Sequence, residues 1–331
     1  MRILLIKPGA IGDLLQLTPV LRALHRRYPQ ARITVLVSSR FTASLFAHNP
    51  MVYDTVIFDK RGEQRSWGGV LRLWSRLREE KYDLVLNYQR SNLKAWVLAS
   101  AAFPCRVLIY HKKNAQHAVV NHLEVLRPLG IDPLACDTTL ELYTGTDDKR
   151  YAEELLASLG AQKQPVIAIN PGASHPVNRW STTNFARLCD LLAGELGAKV
   201  LIIGGSEDTP LAQAILAGAG SEPVVLTGTT TLLQLGAVLQ KCDLLVTGDT
   251  GPMHVSTAVG TKVLALFGAA DPLRTGPVGS GHRVMQAHDV DCVPCRSRKC
   301  DNGRYLACME GITPEEVLSA VKEMLQSGDS A

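Results

Sequence analysis

Short, mainly apolar runs alternate along the whole chain with longer stretches whose apolar residues recur at helical spacing. Residues 3–6, 33–37, 55–58, 84–86 and 107–109 are runs of the first kind, and 12–27, 41–47 and 70–80 are of the second. A strand buried on both faces of a parallel sheet reads as a continuous apolar run, and the helix that crosses back over the sheet reads as amphipathic. The pattern predicts βαβ units and a doubly wound parallel sheet. A polar stretch at 144–150, a helix near 151–159 and a Gly-to-Pro segment at 160–165 interrupt it. The alternation then restarts: strands at 166–170, 199–203, 224–226, 244–247 and 263–267, helices at 184–196, 211–217, 232–240 and 253–259. The class is therefore α/β, with two domains expected at 1–155 and 156–331. Thr313-Pro314-Glu315-Glu316 opens a last helix with a capping hydroxyl, Pro at the first helical position and acids in the first turn. That helix is expected to span about 314–326 and to pack back on the first domain, with 328–331 fraying.

Length agrees with two domains, since 331 residues give each half enough chain to bury a core. No apolar run approaches the ~18 residues of a membrane span. The chain enters its first strand directly, with no basic region and long apolar segment before a cleavage site, so a cytoplasmic protein is expected. Net charge is +4, but unevenly spread. Residues 1–150 carry 22 Lys+Arg against 13 Asp+Glu, and residues 151–331 carry 13 against 18. The basic half suggests an anionic partner, although solvated surface charge is the other reading. Only 5% of residues are aromatic and no recognised nucleic-acid module is present, so no nucleic-acid partner is expected.

The chemistry gathers where strands end. The first strand runs into Lys7-Pro8-Gly9-Ala10-Ile11-Gly12-Asp13, a glycine-bearing turn before a helix. Such a turn lets backbone N–H groups approach a ligand, and the helix start attracts negative charge. Asp13 reads either as a helix-dipole carboxylate or as a general base, and Lys7 as a snorkelling lysine or an anion contact. In the second half, Asn170-Pro171-Gly172-Ala173-Ser174 follows one strand, with Arg179-Trp180 beyond it. Gly204-Gly205-Ser206-Glu207-Asp208 follows the next, where an acid can accept hydrogen bonds from ribose hydroxyls or simply sit at a helix start. Asp249-Thr250-Gly251-Pro252-Met253-His254 follows a third. Gly251 and the Thr250 hydroxyl offer close donors, the helix behind them presents its positive end, and His254 can donate a hydrogen bond; the alternative is a tight turn with a capping Asp.

Together these segments resemble glycosyltransferase family 9, the ADP-heptose:lipopolysaccharide heptosyltransferases, most of all its heptosyltransferase II-like members. The resemblance is carried by K-P-G-A-I-G-D-L-L-Q-L-T-P-V-L at 7–21, Tyr82-Asp83-Leu84-Val85-Leu86, N-P-G-A at 170–173, G-G-S-E at 204–207 and D-T-G-P-M-H at 249–254. It implies a GT-B enzyme with two Rossmann-like domains facing across a cleft, which moves heptose from ADP-heptose to the inner core of lipopolysaccharide with inversion and needs no metal. By this resemblance Asp13 is the base. Asp249, Thr250, Gly251 and His254 hold the donor's diphosphate and heptose, Glu207 the ribose, and Ala173 and Ser174 lie beside the pyrophosphate. Family members often carry Lys-Arg-Trp-Pro or Lys-His-Trp-Pro before the second-domain helix. Here Asn178-Arg179-Trp180-Ser181 stands instead, which leaves Arg179 as the nearby cation. The acceptor is expected on the basic half, near Lys7, Arg61, Arg65, Lys112 and Lys113. The enzyme is then expected as a monomer, peripheral on the inner face of the inner membrane. Other readings are a GT-B transferase or epimerase for another nucleotide sugar, or a non-catalytic nucleotide- or glycan-binding protein.

Cys292, Cys295, Cys300 and Cys308 form C-x₂-C-x₄-C-x₇-C among Arg296, Arg298, Lys299 and Arg304. Four thiols this close suit a structural Zn²⁺ or an iron–sulfur cluster by count, against reduced thiols or partial disulfides.

Overall fold

A computed structural model describes residues 1–89, 93–111, 116–160 and 164–326. It separates into two compact units, Met1–Tyr143 and Thr144–Ala331. The first holds five strands: β1 (Arg2–Ile6), β2 (Arg32–Val37), β3 (Asp54–Ile57), β4 (Leu84–Asn87) and β5 (Arg106–Ile109). All pairs are parallel, in the order β3-β2-β1-β4-β5. Leu4 and Ile6 of β1 join Val70, Leu73 and Leu77 of the helix Trp67–Glu79 and Ala95 and Leu98 of Leu93–Ser100 in one core. Ile3 and Leu5 point to the opposite face and are equally buried. Burial on both faces is why the strand is a continuous apolar run.

The expected helix over 12–27 is two helices, Ile11–Leu15 and Thr18–Arg27. Pro19 lacks a backbone N–H, so it sits in a first turn and not in a helix interior. The Thr18 hydroxyl donates to the Leu15 carbonyl at 2.8 Å and closes the break.

The second unit has six strands: β6 (Val166–Asn170), β7 (Lys199–Ile202), β8 (Val224–Val225), β9 (Leu244–Thr247), β10 (Lys262–Leu266) and β11 (Arg283–Met285). Their order is β11-β10-β9-β6-β7-β8, again parallel throughout. This is the first sheet's winding with one strand added. The edge strand β11 was not among the expected strands, because a short, largely exposed strand with an Arg carries little apolar signal. The helix Thr146–Ser158 packs against Leu232–Gln240 within this unit, so the expected boundary at 155/156 falls inside a helix that belongs wholly to the second half. The helix Pro314–Gln326 also stays here. It lays Val317, Leu318, Val321 and Met324 into the core with Phe185, Leu188 and Leu192 of Thr182–Leu196.

Trp180 pins this core. It is buried, its indole N–H donates to the Ile312 carbonyl at 2.9 Å, and its ring meets Phe185 edge-on at 4.9 Å between centroids. Trp180→Ala removes both contacts and leaves a cavity, a change that costs about 3–5 kcal/mol. The urea midpoint of the second unit is expected to fall accordingly; a change below about 1 kcal/mol would remove Trp180 from the framework of this unit.

Candidate active site

In a doubly wound sheet the order reverses at a switch point, and ligands bind outside the carboxyl ends of the strands there. In the second unit that point lies between β6 and β9, where Asn170 is paired in register with Thr247. The Asn170 amide donates to the Thr247 hydroxyl at 3.1 Å, the Thr250 hydroxyl at 3.1 Å and the Gly172 carbonyl at 3.2 Å. The two threonine hydroxyls lie 3.0 Å apart. One buried amide thus joins the loop after β6 to the turn after β9. The helix Gly251–Ala258 starts at this turn, and the Thr250 side chain, engaged with Asn170, does not cap it. Its first N–H groups therefore face the switch point with the positive end of the helix behind them. His254 is buried in its first turn.

Asp249 sits beside that helix start and accepts a hydrogen bond from Thr275 at 3.2 Å. Burial raises its pKa to about 6, against a smaller lowering by the Thr275 hydroxyl. The loops after β6 and β7 are held against each other by Asp208. Its carboxylate accepts from the Gly205 N–H at 3.0 Å and lies so close to Gly172 that a Cβ there would overlap it. Burial, and also the charge of Glu207, raise the Asp208 pKa. Arg179 donates through Nε and Nη2 to the Ala173 carbonyl, at 3.2 and 2.9 Å, so the guanidinium braces the N-P-G-A turn. Ala173 is buried, while Ser174 and Glu207 are exposed. The expected donor residues Ala173, Ser174, Arg179, Glu207, Asp249, Thr250, Gly251 and His254 thus all lie at the carboxyl ends of three strands of one sheet. Asn170, Asp208 and Thr275 complete the set, and no role for them was read from sequence. Their signal was weak: an Asn ending an apolar strand, an acid at a helix start and a threonine inside a four-residue helix.

In the first unit Asp13 lies in the first turn of Ile11–Leu15. Lys7 Nζ stands 3.1 Å from its carboxylate and 3.5 Å from His122 Nε2, and His122 Nδ1 is 3.3 Å from the Gln16 carbonyl. Lys7 and His122 are buried; about half of the Asp13 side chain reaches solvent. Crowding by protein pushes the Asp13 pKa up, but the charge and hydrogen bond of Lys7 outweigh it, and the net shift is downward. Burial, and then the ammonium of Lys7, depress His122 to about 3, so its imidazole is neutral at physiological pH. Tyr88 and Tyr110 wall the imidazole, at 5.4 and 5.3 Å between centroids. Lys7 therefore serves Asp13 directly, and sequence gave no sign of His122 as its second partner, because residues 7 and 122 meet only when β1 and the helix Ala118–Leu123 pack together.

The expected acceptor residues divide. Arg61 and Arg65 are exposed around the short turn Glu63–Arg65, whose Gln64 and Arg65 carbonyls accept from Lys94 Nζ at 2.8 and 2.7 Å. Arg72 and Arg76, with Arg40, line a groove of about 670 Å³ beyond β2 and β3, together with Asp59 and Glu63. Lys112 and Lys113 lie outside the described residues.

A sequence model of glycosyltransferase family 9 (heptosyltransferase) matches residues 70–306. The chain belongs to glycosyltransferase family 9. Lipopolysaccharide heptosyltransferase 3 of Escherichia coli is 30% identical, over 96% of this chain and 97% of that protein. Lipopolysaccharide heptosyltransferase 2 of Salmonella typhimurium is 28% identical, over 98% and 99%. The crystal structure of a family 9 glycosyl transferase from Veillonella parvula superposes with a TM-score of 0.86 at 26% identity, covering 98% of this chain and 97% of that one. The protein is thus a glycosyltransferase of the GT-B class. The family model begins beyond Asp13, but the pairwise relatives extend over nearly the whole family 9 chain.

Asp249 gives a test that needs no substrate. Its folded pKa lies above its unfolded value, so folding gains from protonation, and the ionised form carries a cost that is full above pH 6 and absent below about pH 4. Asp249→Asn removes that cost. We expect it to stabilise the second unit by roughly 1–3 kcal/mol at pH 8, with the gain vanishing toward pH 4. A pH-independent effect in thermal melts would contradict the raised pKa.

Proposed function

We propose that this glycosyltransferase moves heptose from ADP-heptose to the inner core of a lipopolysaccharide, inverting the anomeric centre and calling on no metal for the transfer. The observation that carries the reading is the pair of strand-end sites, one in each unit. One holds a partly exposed carboxylate kept ionised by a buried lysine, and the other an uncapped helix start held by Asn170. The names of the relatives that span the chain support the substrates.

In this mechanism Asp13 takes the proton of an acceptor hydroxyl. The oxygen attacks the anomeric carbon, the bond from that carbon to the diphosphate oxygen breaks on the opposite face, and ADP leaves. Charge that grows on the diphosphate is met by the first N–H groups of Gly251–Ala258, with Thr250 and His254 beside them. Asp249 accepts hydrogen bonds from sugar hydroxyls, Glu207 from the ribose, and Ala173 and Ser174 flank the pyrophosphate. Arg179 fixes that loop and contributes positive charge where many relatives carry a lysine at the position of Asn178. A carboxylate held below its usual pKa is a weak base, so proton transfer comes late, as the bond to carbon forms. The acceptor's phosphates and carboxylates engage Lys7 and the basic groove of Arg40, Arg72 and Arg76, with Arg61, Arg65, Lys112 and Lys113 at its approach. A lipid-anchored acceptor then places the protein, as a peripheral monomer, on the cytoplasmic face of the inner membrane. Among the described residues no helix is long and apolar enough to cross a membrane.

The deciding experiment incubates the protein with ADP-heptose and truncated lipopolysaccharides and reads mass gain. Addition of one heptose supports the reading; transfer only from another nucleotide sugar, or none to any heptose- or Kdo-terminated acceptor, overturns it. Asp13→Asn is expected to lower kcat by ~10²–10⁴ with little change in donor affinity. With Asp13 ionised throughout, kcat/KM is expected to fall below about pH 6 as Asp249 takes a proton, and Asp249→Asn to flatten that limb. Charge reversal at Arg72 and Arg76 is expected to raise the acceptor KM and weaken binding to anionic vesicles. Unchanged values for both would exclude the groove from acceptor binding.

A further inference from the structure

The segment from β11 to the helix Pro314–Gln326 contains the four cysteines that the transfer mechanism does not use. Between Gln286 and Leu306 it forms no helix or strand, only turns and bends. A segment of that length without regular structure is uncommon inside a compact domain. Cys292, Cys295, Cys300 and Cys308 line a single cavity of about 220 Å³, which Val177, Ala269 and Leu306 also line. Cys292 and Cys295 are exposed, Cys300 is half-buried and Cys308 is buried. The sulfurs already receive N–H donors. The Leu306 backbone N–H points at Cys300 Sγ, 3.3 Å away, and the Asn302 amide at Cys292 Sγ, 3.5 Å away.

The backbone turns at both ends of the cluster are unusual. Arg296, directly after Cys295, has φ 56°, and Leu306, two residues before Cys308, has φ 54°. Branched or long side chains rarely take the left-handed region, and each costs about 1 kcal/mol or more unless its surroundings impose it. The Arg296 N–H donates to the Ala269 carbonyl at 2.7 Å and ties the turn after Cys295 to the segment that follows β10. Arg296, Arg298, Lys299 and Arg304 interleave with the cysteines in sequence, and Lys299 lines the cavity together with Asp301.

We propose that Cys292, Cys295, Cys300 and Cys308 bind one divalent cation, Zn²⁺, in a closed four-thiolate site. Among the described residues no three such donors now stand at ligating separation, so binding draws the two exposed thiols inward over the cavity. Soft thiolates select zinc over magnesium or calcium, and a site with four protein ligands leaves no position for substrate. Its role is therefore structural. Arg296 pairs with Asp271 at 3.0 Å, Asp271 caps the turn Pro272–Thr275, and Thr275 donates to Asp249. Cys308 Sγ also lies under Gly268, where a Cβ would approach it to 2.8 Å, so the cluster is seated against the end of β10. The ion would thus brace the side of the second unit that carries Asp249. This link to the donor rests on the function proposed above, but the site itself does not.

The test uses the full chain without a histidine tag, purified reduced and without chelator. One equivalent of zinc per chain by elemental analysis is expected. After its removal, titration with Co²⁺ should give thiolate charge-transfer and tetrahedral ligand-field bands that saturate at one equivalent. Chelation is expected to lower the melting temperature of the second unit by about 5 °C or more. Cys292→Ser and Cys295→Ser, at exposed positions that do not threaten the fold, should each abolish stoichiometric binding, whereas Cys105→Ser should not. The proposal is overturned if zinc is substoichiometric and all four thiols react with an aromatic disulfide at the same rate with and without added Zn²⁺. Stoichiometric iron with its own visible absorption would overturn the choice of zinc. Loss of zinc with normal ADP-heptose transfer would leave the site standing and remove its link to the donor side, whereas normal zinc without transfer would count against the proposed function alone.

Discussion

The amide of Asn170 holds the second unit's loops in working order. It is buried at the end of an apolar strand, where a polar group without partners costs on the order of 1–3 kcal/mol. That cost makes its geometry exacting. Its two hydrogens are shared among Gly172, Thr247 and Thr250, so the turn after β6 and the turn after β9 cannot shift independently. Because Thr250 is engaged in this way, it does not cap the helix behind it, and the first N–H groups of that helix keep no side-chain partner from Thr250. The same residue that satisfies the core therefore leaves the helix end open.

The first unit solves a related problem with charge. Lys7 is buried beside β1, and an unpaired ammonium there would be costly. Asp13 supplies the counter-charge from the helix start and His122 a neutral second partner. A carboxylate in such a pair stays ionised over a wide pH range, while burial keeps the imidazole from competing for the proton. Asp249 shows the opposite outcome: burial without a cation raises its pKa instead of lowering it. Two aspartates that follow sheet strands thus differ in protonation because one has a lysine beside it and the other a hydroxyl.

Secondary structure and class were legible because each parallel strand must be apolar on both faces, which writes an uninterrupted run into the sequence. The glycine turns were legible for a similar reason, since Gly172 sits where any Cβ would overlap Asp208. The split at Gln16-Leu17 was missed although Pro19 announced it, because apolar periodicity continues across the break. β11 was missed because an edge strand is exposed.

What the sequence determined by itself was therefore local: the alternation, the strand-end turns, the candidate carboxylates and the spacing of the cysteines. Residues far apart in the chain were paired only by the tertiary structure. Lys7 meets His122, Asn170 meets Thr250, Arg296 meets Asp271, and the helix Pro314–Gln326 buries its face beside Thr182–Leu196. Periodicity records which face of an element is buried but not what it is buried against. Hydrogen bonds and ion pairs depend on distances of a few ångströms, which are set when sheets close and helices dock.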